Sequence, residues 1–337
     1  MLIFLSGLKS MMRRLRRDAH FSFAETSLSW KFSMKHSQFV VLAILACAQP
    51  VRACDLCAIY SATEAQNGGK GVYAGLAEQF TEFGTLQLDG RTEAGQGEYI
   101  HSLTSQLFAG YNFNQWFGLQ FNLPVIYRAY GDNTMHGEVS GVGDVSLTGS
   151  VLLYHKNATD WTFRWTALGG IKFPTGDSSQ LNTPDSALPA GIGGHDLALG
   201  SGSFDGLVGT GFSTRWQRIF LDGQMQYGIR TEGDFQHQYA NDWSWSGGPG
   251  VYLVLNDNYT VALQAAVSGE SKGKDTFAGV PDNDSAETIV YLGPVISFTW
   301  SESFSAHIGA DLPVSRENSG EQVMPDYRIH AAIMWEF

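Results

Sequence analysis

Apolar and polar residues alternate along most of this chain after residue 70. Side chains of a β-strand point alternately to the two faces of a sheet, so this pattern predicts strands with one apolar face. The clearest stretch is 116–128, where every second side chain is apolar. The pattern predicts twelve strands, near 71–83, 99–113, 116–128, 141–154, 159–173, 203–214, 218–230, 247–255, 258–268, 286–299, 303–313 and 325–337.

The predicted connections alternate between short turns and long, Gly- and Asp-rich loops. An even strand number with this alternation is typical of outer-membrane β-barrels. A secreted β-sandwich also has alternating strands, but these are usually only about five or six residues long. The sequence therefore predicts an all-β fold, a transmembrane up-and-down β-barrel of about 12 antiparallel strands over residues 71–337. The short turns fall near 114, 155, 215, 256 and 301, and the long loops near 84–98, 129–140, 174–202, 231–246, 269–285 and 314–324.

Aromatic residues near the predicted strand ends fit the girdles that such barrels place at the membrane interfaces. In the last strand, Trp335 and Phe337 resemble the C-terminal aromatic assembly signal that outer-membrane barrels present to their insertion machinery. We therefore expect the barrel-insertion machinery and outer-membrane lipid as partners, and both termini in the periplasm of a Gram-negative cell. The girdle candidates are Tyr127, Trp161, Tyr227, Tyr259, Trp300 and Trp335.

Residues 34–53 have the layout of an export signal. A basic start precedes ten apolar residues, 39–48, and Val51 and Ala53 stand where signal peptidase requires small residues. The apolar run is too short for a membrane anchor, which needs about 20 residues. Residues 1–33 are expected to be an extension upstream of the true start at Met34. Removal of residues 1–53 takes away eight Lys/Arg and two Asp/Glu and leaves a net charge of −18, which argues against a nucleic-acid partner.

The face opposite the apolar one supplies candidates for the barrel lumen. Two interpretations stay open: these residues pair with one another and fill a narrow barrel, or they line a wetted, selective pathway. One hypothesis is a basic ladder that faces a set of acidic residues across the lumen. The 174–202 loop is long enough to fold inward as a constriction or to lie over the mouth. The candidates for lumen and selectivity are Gln120, Asn122, Asp144, Arg164, Lys172, Asp222, Gln224, Gln226, Arg230, His307, Asp311 and Arg328, with the ladder formed by Arg164, Lys172, Arg230 and Arg328.

Cys54 and Cys57 open the predicted mature chain in a CxxC motif, within a periplasmic segment, 54–70. The pair is compatible with a passive disulfide, a redox-active dithiol, a thiophilic metal site or, at Cys54, lipidation. The absence of a His after Cys57 argues against covalent haem of the usual form. We expect no cofactor, with a metal at Cys54 and Cys57 as the alternative.

Four segments resemble recurring blocks of the outer-membrane transporters grouped under the meta-pathway of phenol degradation. They are LPVIYR (123–128), GVGDVSLTG (141–149), GGIKFPTGDSS (169–179) and LGSGSFDG (199–206). The resemblance covers the third to sixth strands and implies uptake of small hydrophobic or aromatic molecules. It brings no catalytic residues.

The expected function is therefore that of an outer-membrane channel or transporter for small hydrophobic or aromatic molecules. A metal- or redox-linked protein that uses the CxxC motif and an outer-membrane hydrolase are the alternatives. Histidines that would serve a hydrolase as bases are scattered along the chain, and no G-x-S-x-G motif is present. The sequence therefore predicts a protein that is not an enzyme.

Overall fold

The computed structural model describes residues 70–301 and 303–337. The predicted extension, the export signal, residues 54–69 of the N-terminal segment and both cysteines of the CxxC motif lie outside the described residues. Within the described ranges, no helix is long and apolar enough to cross a membrane.

Twelve long antiparallel strands form the main sheet, and the last of them pairs with the first. In this pairing Leu76 lies opposite Ile333 and Tyr73 lies opposite Glu336. The sheet is therefore a closed barrel, and the predicted fold class is confirmed. Its strands are β1 (Gly71–Leu88), β3 (Tyr99–Asn112), β4 (Phe117–Gly131), β6 (Ser146–Asn157), β7 (Trp161–Lys172), β8 (Asp205–Trp216), β9 (Ile219–Ile229), β11 (Asp242–Leu255), β12 (Tyr259–Lys272), β15 (Glu287–Trp300), β16 (Phe304–Asn318) and β17 (Glu321–Glu336).

The alternation of residue types explains the two faces of the barrel. Along β9, Ile219, Leu221 and Met225 are exposed on the outer face, while Asp222 and Gln224 are partly buried on the inner face. The same division holds in β4, where Phe117 and Phe121 are exposed outward. A transmembrane barrel requires an apolar exterior where it faces lipid. It also requires a closed sheet, because every backbone polar group of a lipid-facing wall needs an internal partner.

Five connections are short turns, which follow Asn112, Asn157, Trp216, Leu255 and Trp300. We call this the turn end of the barrel, and the opposite end the loop end. The predicted long loop at 314–324 is wrong: β16 and β17 continue through it to a two-residue turn at Ser319 and Gly320. Gly320 has a φ of +65°, a conformation that glycine adopts readily.

Short strands and helical turns lie at the loop end of the barrel. Two of them, β2 (Arg91–Thr92) and β5 (His136–Val142), extend the barrel sheet beside β1 and β4. A separate small sheet contains β10 (His237–Gln238), β13 (Thr276–Phe277) and β14 (Val280–Pro281). The 173–204 connection holds one α-helical turn, α1 (Gly194–Leu197), and two 3₁₀ turns.

Candidate functional site: the barrel interior

One half of the barrel interior encloses a cavity of ≈ 320 Å³. Polar and charged side chains from the barrel strands β7, β8, β9, β11, β12, β15, β16 and β17 form most of its wall. Seven of the predicted lumen residues stand in this wall: Arg164, Asp222, Gln224, Gln226, His307, Asp311 and Arg328.

Arg328 is the best-connected side chain at the cavity wall. Its guanidinium donates hydrogen bonds to the Asp311 carboxylate at 3.1 and 2.7 Å, and to the Ser268 hydroxyl at 2.5 Å. The guanidinium also lies 4.2 Å from the ring centroid of Tyr291. His330 Nε2 stands 3.5 Å from the same Asp311 carboxylate. A cation that is paired and stacked in this way holds a fixed position beside the cavity.

The wall formed by β9, β11 and β12 is held by amide side chains. Gln264 donates to the Asp222 carboxylate at 2.6 Å, and Gln224 donates to the Ser246 hydroxyl at 2.9 Å. Arg164 reaches the cavity from β7. The wall thus presents hydrogen-bond donors and acceptors, with both signs of charge, to a molecule inside.

The other half of the interior is packed. Gln120 accepts a hydrogen bond from Tyr73 at 3.2 Å and donates to Asn122 at 2.6 Å, and Asn122 also accepts from Gln106 at 2.9 Å and donates to Ser146 at 3.1 Å. An apolar cluster of Tyr73, Ala77, Phe108, Ala332 and Met334 adjoins this network. Gln120 and Asn122 therefore stabilise the wall between β1 and β6 and do not line the cavity.

Three more predicted lumen residues meet at the loop end in a buried charge cluster. Lys172 Nζ lies 3.2 Å from Asp144 and 2.8 Å from Asp205. Arg230 donates to Asp205 at 3.0 Å and to Asp242 at 2.6 Å. The carboxylates of Asp144 and Asp205 have no exposed side-chain surface. Each buried charge is therefore balanced by a neighbour, as burial requires.

The structure shows local ion pairs where the sequence hypothesis placed a basic ladder. Lys172, Arg230 and Arg328 each pair with a carboxylate on a nearby strand or connection, instead of facing an acidic wall across the lumen. Positive and negative groups are interleaved around the barrel.

The 173–204 loop folds over the interior and is anchored by Asp144. The Asp144 carboxylate accepts hydrogen bonds from the backbone N–H groups of Thr175, Gly176 and Ser201 at 3.0, 2.9 and 2.8 Å. It also accepts one from the Ser201 hydroxyl at 2.9 Å. Both ends of the loop are thus tied to one carboxylate.

Apolar side chains hold the middle of the loop against the barrel. Ile192 and Leu197 pack against Leu86, Ile100 and Val323 of the wall. The Gly191 carbonyl accepts a hydrogen bond from the Val323 N–H at 2.9 Å. The loop therefore acts as a cover over the β1, β3 and β17 side of the mouth, one of the two positions that its length allows.

Arg128 was not among the predicted lumen residues. It is 1% exposed, and its Nη1 donates to the Ala198 carbonyl of the covering loop at 3.4 Å. The alternation in β4 does place it on the inner face, because it shares the phase of Gln120 and Asn122. Asp205 and Asp242 were missed because each stands at the first position of a strand, where alternation gives little information.

His237 lies in the loop-end sheet, outside the barrel wall, and is 6% exposed. Burial lowers the pKa of its imidazole, although Asp275, with a carboxylate oxygen 3.9 Å away, acts in the opposite direction. Lys272 and His195 reinforce the lowering of this pKa. His237 is therefore expected to stay neutral in the folded loops at neutral pH.

No protein-family model matches the sequence, and neither does any curated protein. The resemblance to the phenol-pathway transporters therefore stays a prediction. Solved structures match in fold. The COG4313 outer-membrane channel from Pseudomonas putida F1 aligns over 80% of this chain and 96% of its own, with a TM-score of 0.61 at 14% identity. The CymD monoaromatic hydrocarbon channel aligns over 86% and 94%, with a TM-score of 0.40 at 7% identity.

The β-domain of the Bordetella autotransporter BrkA aligns over 79% of this chain and all of its own, with a TM-score of 0.43 at 12% identity. At 14% identity, the likeness to the COG4313 channel establishes the fold alone. The first of the three matches shares the whole barrel architecture, which is that of an outer-membrane β-barrel.

Proposed function

We propose that this protein is an outer-membrane channel for small molecules. The observation that carries the proposal is the ≈ 320 Å³ cavity inside a closed barrel, lined on one side by hydrogen-bonding and charged groups. A barrel that only served as a structural wall would gain stability by filling this space with packed side chains.

The solute class that we propose is a small hydrophobic or aromatic molecule. An apolar cavity of about 150 Å³ accommodates benzene, so the larger volume here is sufficient for a substituted ring. The polar wall offers partners for a substituent such as a hydroxyl group. Arg328 in particular presents a fixed guanidinium, a group that stacks on aromatic faces.

The long connections support an orientation with the loop end outside the cell and both termini in the periplasm. We infer in addition that Trp335 and Phe337 are read by the barrel-insertion machinery. Phe337→Ser is expected to lower the amount of heat-modifiable, folded barrel in outer-membrane fractions of the producing cells. The control is Phe121→Ser, at another exposed aromatic residue, on the outer face of β4. Equal loss in both variants would contradict a special role for Phe337.

A steric block of the cavity tests the channel function. Ser246 lines the cavity from β11, and Val251 points outward from the same strand. Ser246→Trp is expected to lower solute uptake in liposomes that contain the purified protein, while Val251→Trp leaves it unchanged. Undiminished uptake in a folded Ser246→Trp variant would contradict passage through this cavity.

A further inference from the structure

Glu78 carries a carboxyl group on the outer face of the barrel. Along β1, the neighbouring Ala77 and Gln79 are 0% and 7% exposed, and Gln79 lines the cavity. Glu78 has the opposite phase, which it shares with Val72, a residue 48% exposed on the outside. The Glu78 side chain therefore belongs to the face that meets lipid.

Glu78 lies near the middle of the apolar belt. On β17, Ala331 is directly opposite Glu78, and Ala331 is four residues from both Trp335 and Tyr327. At roughly 3.3 Å per residue, each separation is about 13 Å along the strand. Trp and Tyr mark the two membrane interfaces of such a barrel. Glu78 is thus about equally far from both interfaces.

The strand on the other side of β1 gives the same depth. Ser105 of β3 is directly opposite Glu78, and it is six residues from both Tyr99 and Tyr111. Both tyrosines share the outward phase of Ser105. An ionisable group at this depth on a lipid-facing surface is costly, so its side chain needs a hydrogen-bonding partner.

Ser105 satisfies only part of the hydrogen-bonding capacity of Glu78. The Ser105 hydroxyl donates to Glu78 Oε2 at 2.7 Å. A carboxyl group has two oxygens, and in the ionised form these offer about four acceptor positions. Lipid hydrocarbon supplies no hydrogen-bonding group to the remaining positions. The carboxyl group of Glu78 therefore favours a polar partner from outside the chain.

A second polar pair extends this surface toward the loop end. His101 Nε2 lies 3.0 Å from Glu82 Oε1, on the same two strands and the same face. We call Glu78, Ser105, Glu82 and His101 the β1–β3 polar strip. Tyr327 is opposite Glu82, so this end of the strip is at the membrane interface. The strip therefore runs from the interface to the middle of the apolar belt.

The surface around Glu78 can pack closely against a second apolar surface. Ser105 and Ala331 flank Glu78 on its two sides, and Ala74 and Ala109 lie nearer the turn end. Small side chains let membrane-spanning surfaces approach one another. The larger outward neighbours are Leu76, Phe80, Leu103, Leu107 and Val125.

We propose that the β1–β3 polar strip is a contact between two copies of this chain, related by a two-fold axis along the membrane normal beside Glu78. The membrane holds every copy at the same depth, so a second copy brings its own Glu78 to the first. Two carboxyl groups hydrogen-bond to each other when one of them carries a proton. The axis also places Ser105 of one copy against Ala331 of the other, and both side chains are small. Such a contact is isologous, because the same patch serves both copies.

Cysteine cross-linking in outer membranes of producing cells tests this contact. All three cysteines of the chain are first replaced by serine. Leu76→Cys then places a thiol on the outer face, two residues from Glu78 and close to the axis. A short bis-maleimide joins two such thiols across the axis, and gel electrophoresis reports the cross-linked dimer.

Leu221→Cys on β9 is the matched control, because β9 is six strands from β1 in either direction around the barrel. Leu221 is 42% exposed on the outer face. Its depth also matches: Leu221 is two residues beyond Ile219, which pairs with Trp216. Leu76 is likewise two residues beyond the residue that pairs with Trp335.

Substitutions of Glu78, each combined with Leu76→Cys, test the role of the carboxyl group. Glu78→Leu removes its hydrogen bonds, whereas the amide of Glu78→Gln keeps a donor and an acceptor that can pair across the axis. We expect Glu78→Leu to lower the cross-linked fraction about tenfold, which corresponds to about 1.4 kcal/mol of association free energy. Glu78→Gln is expected to retain the dimer. Heat-modifiable migration shows that each variant is folded.

The expected result is a dimer with Leu76→Cys and none with Leu221→Cys. Absence of the dimer with Leu76→Cys, or equal cross-linking at the two positions, would overturn the proposal. Undiminished cross-linking in the Glu78→Leu variant would overturn the role of the carboxyl group. A cross-linked product of a different mass would assign the strip to another outer-membrane protein and would also overturn the proposal. The inference goes beyond the proposed channel function, and its test does not depend on conductance.

Discussion

The Asp144 carboxylate lies 3.2 Å from the Lys172 ammonium and accepts hydrogen bonds from both ends of the 173–204 loop. The Asp144 carboxylate thus connects the covering 173–204 loop to the buried charge cluster at the loop end. Asp144→Ala leaves buried donors of the loop unsatisfied and removes one of the two carboxylates beside Lys172.

We expect Asp144→Ala to destabilise the loop-end structure by about 3 kcal/mol, since the loss of one partner of a buried pair is costly. The measurement is the rate of protease cleavage within 173–204, together with single-channel conductance, and both are expected to rise. Asp177→Ala is the control, because Asp177 is exposed in the same loop and its side chain receives one hydrogen bond, from the Ser179 N–H. Equal cleavage in the two variants would show that Asp144 does not anchor the cover.

A substitution at Gly191 is a second way to displace the covering 173–204 loop. Its φ is +68°, and a Cβ added there would stand 2.6 Å from Leu86 Cδ1 and 3.0 Å from the Gln322 carbonyl carbon. Gly191→Ala is therefore expected to lift the loop from the wall and to increase conductance. Gly279→Ala separates the two causes, because Gly279 has a φ of +76° with no atom near the added Cβ. Similar behaviour of the two variants would assign the effect to backbone strain alone.

For the proposed channel, we expect the interleaved charges at the cavity wall to set the ion selectivity. Arg164→Gln removes one positive group from a wall that also carries Asp222 and Asp311. We expect a shift of the reversal potential toward cation selectivity in a salt gradient across a planar bilayer. Arg218→Gln is the control, since Arg218 is bound to backbone carbonyls at the turn end. No shift with Arg164→Gln would mean that ions do not pass this wall.

Acidic pH should loosen the loop-end sheet around His237. Burial lowers the pKa of this histidine in the folded protein, so the unfolded loops bind a proton more readily than the folded ones. The stability that the neutral side chain contributes is complete above the unfolded pKa of about 6.5 and is lost as the pH falls below it. Hydrogen exchange of residues 237–238 and 276–281, measured on either side of this pKa, reports the change.

Two acidic groups, Asp275 and Asp282, and two basic groups, His195 and Lys272, face His237 and set the size of this effect. His237→Gln is expected to abolish the pH dependence of exchange, because the amide does not titrate. A pH dependence that persists in that variant would assign the effect to a group other than His237.

The strands were predictable because the residue types on the two faces of each barrel strand match the environments of those faces. Lipid faces one side and the interior the other, so residues 219–229 or 117–131 alternate without help from distant contacts. The 314–324 error has the same origin. All four residues of Ser315–Asn318 are polar, so alternation disappears there although the backbone remains extended.

The division of the interior could not be read from alternation. Gln120 and Gln224 have the same phase within their strands, yet one is fully buried in a side-chain network and the other lines the cavity. Whether such a glutamine is buried or lines the cavity depends on which residues of distant strands lie opposite it. The contact of Asp144 with Lys172 depends likewise on the path of the connection that precedes β6.

The most direct test of the account is the conductance of the refolded barrel in planar lipid bilayers, with and without a simple aromatic solute such as phenol. The account predicts stable conductance steps through the cavity, reduced while the solute occupies it. A correctly folded barrel that gives no conductance, with or without the solute, would contradict the central claim that this protein is a channel.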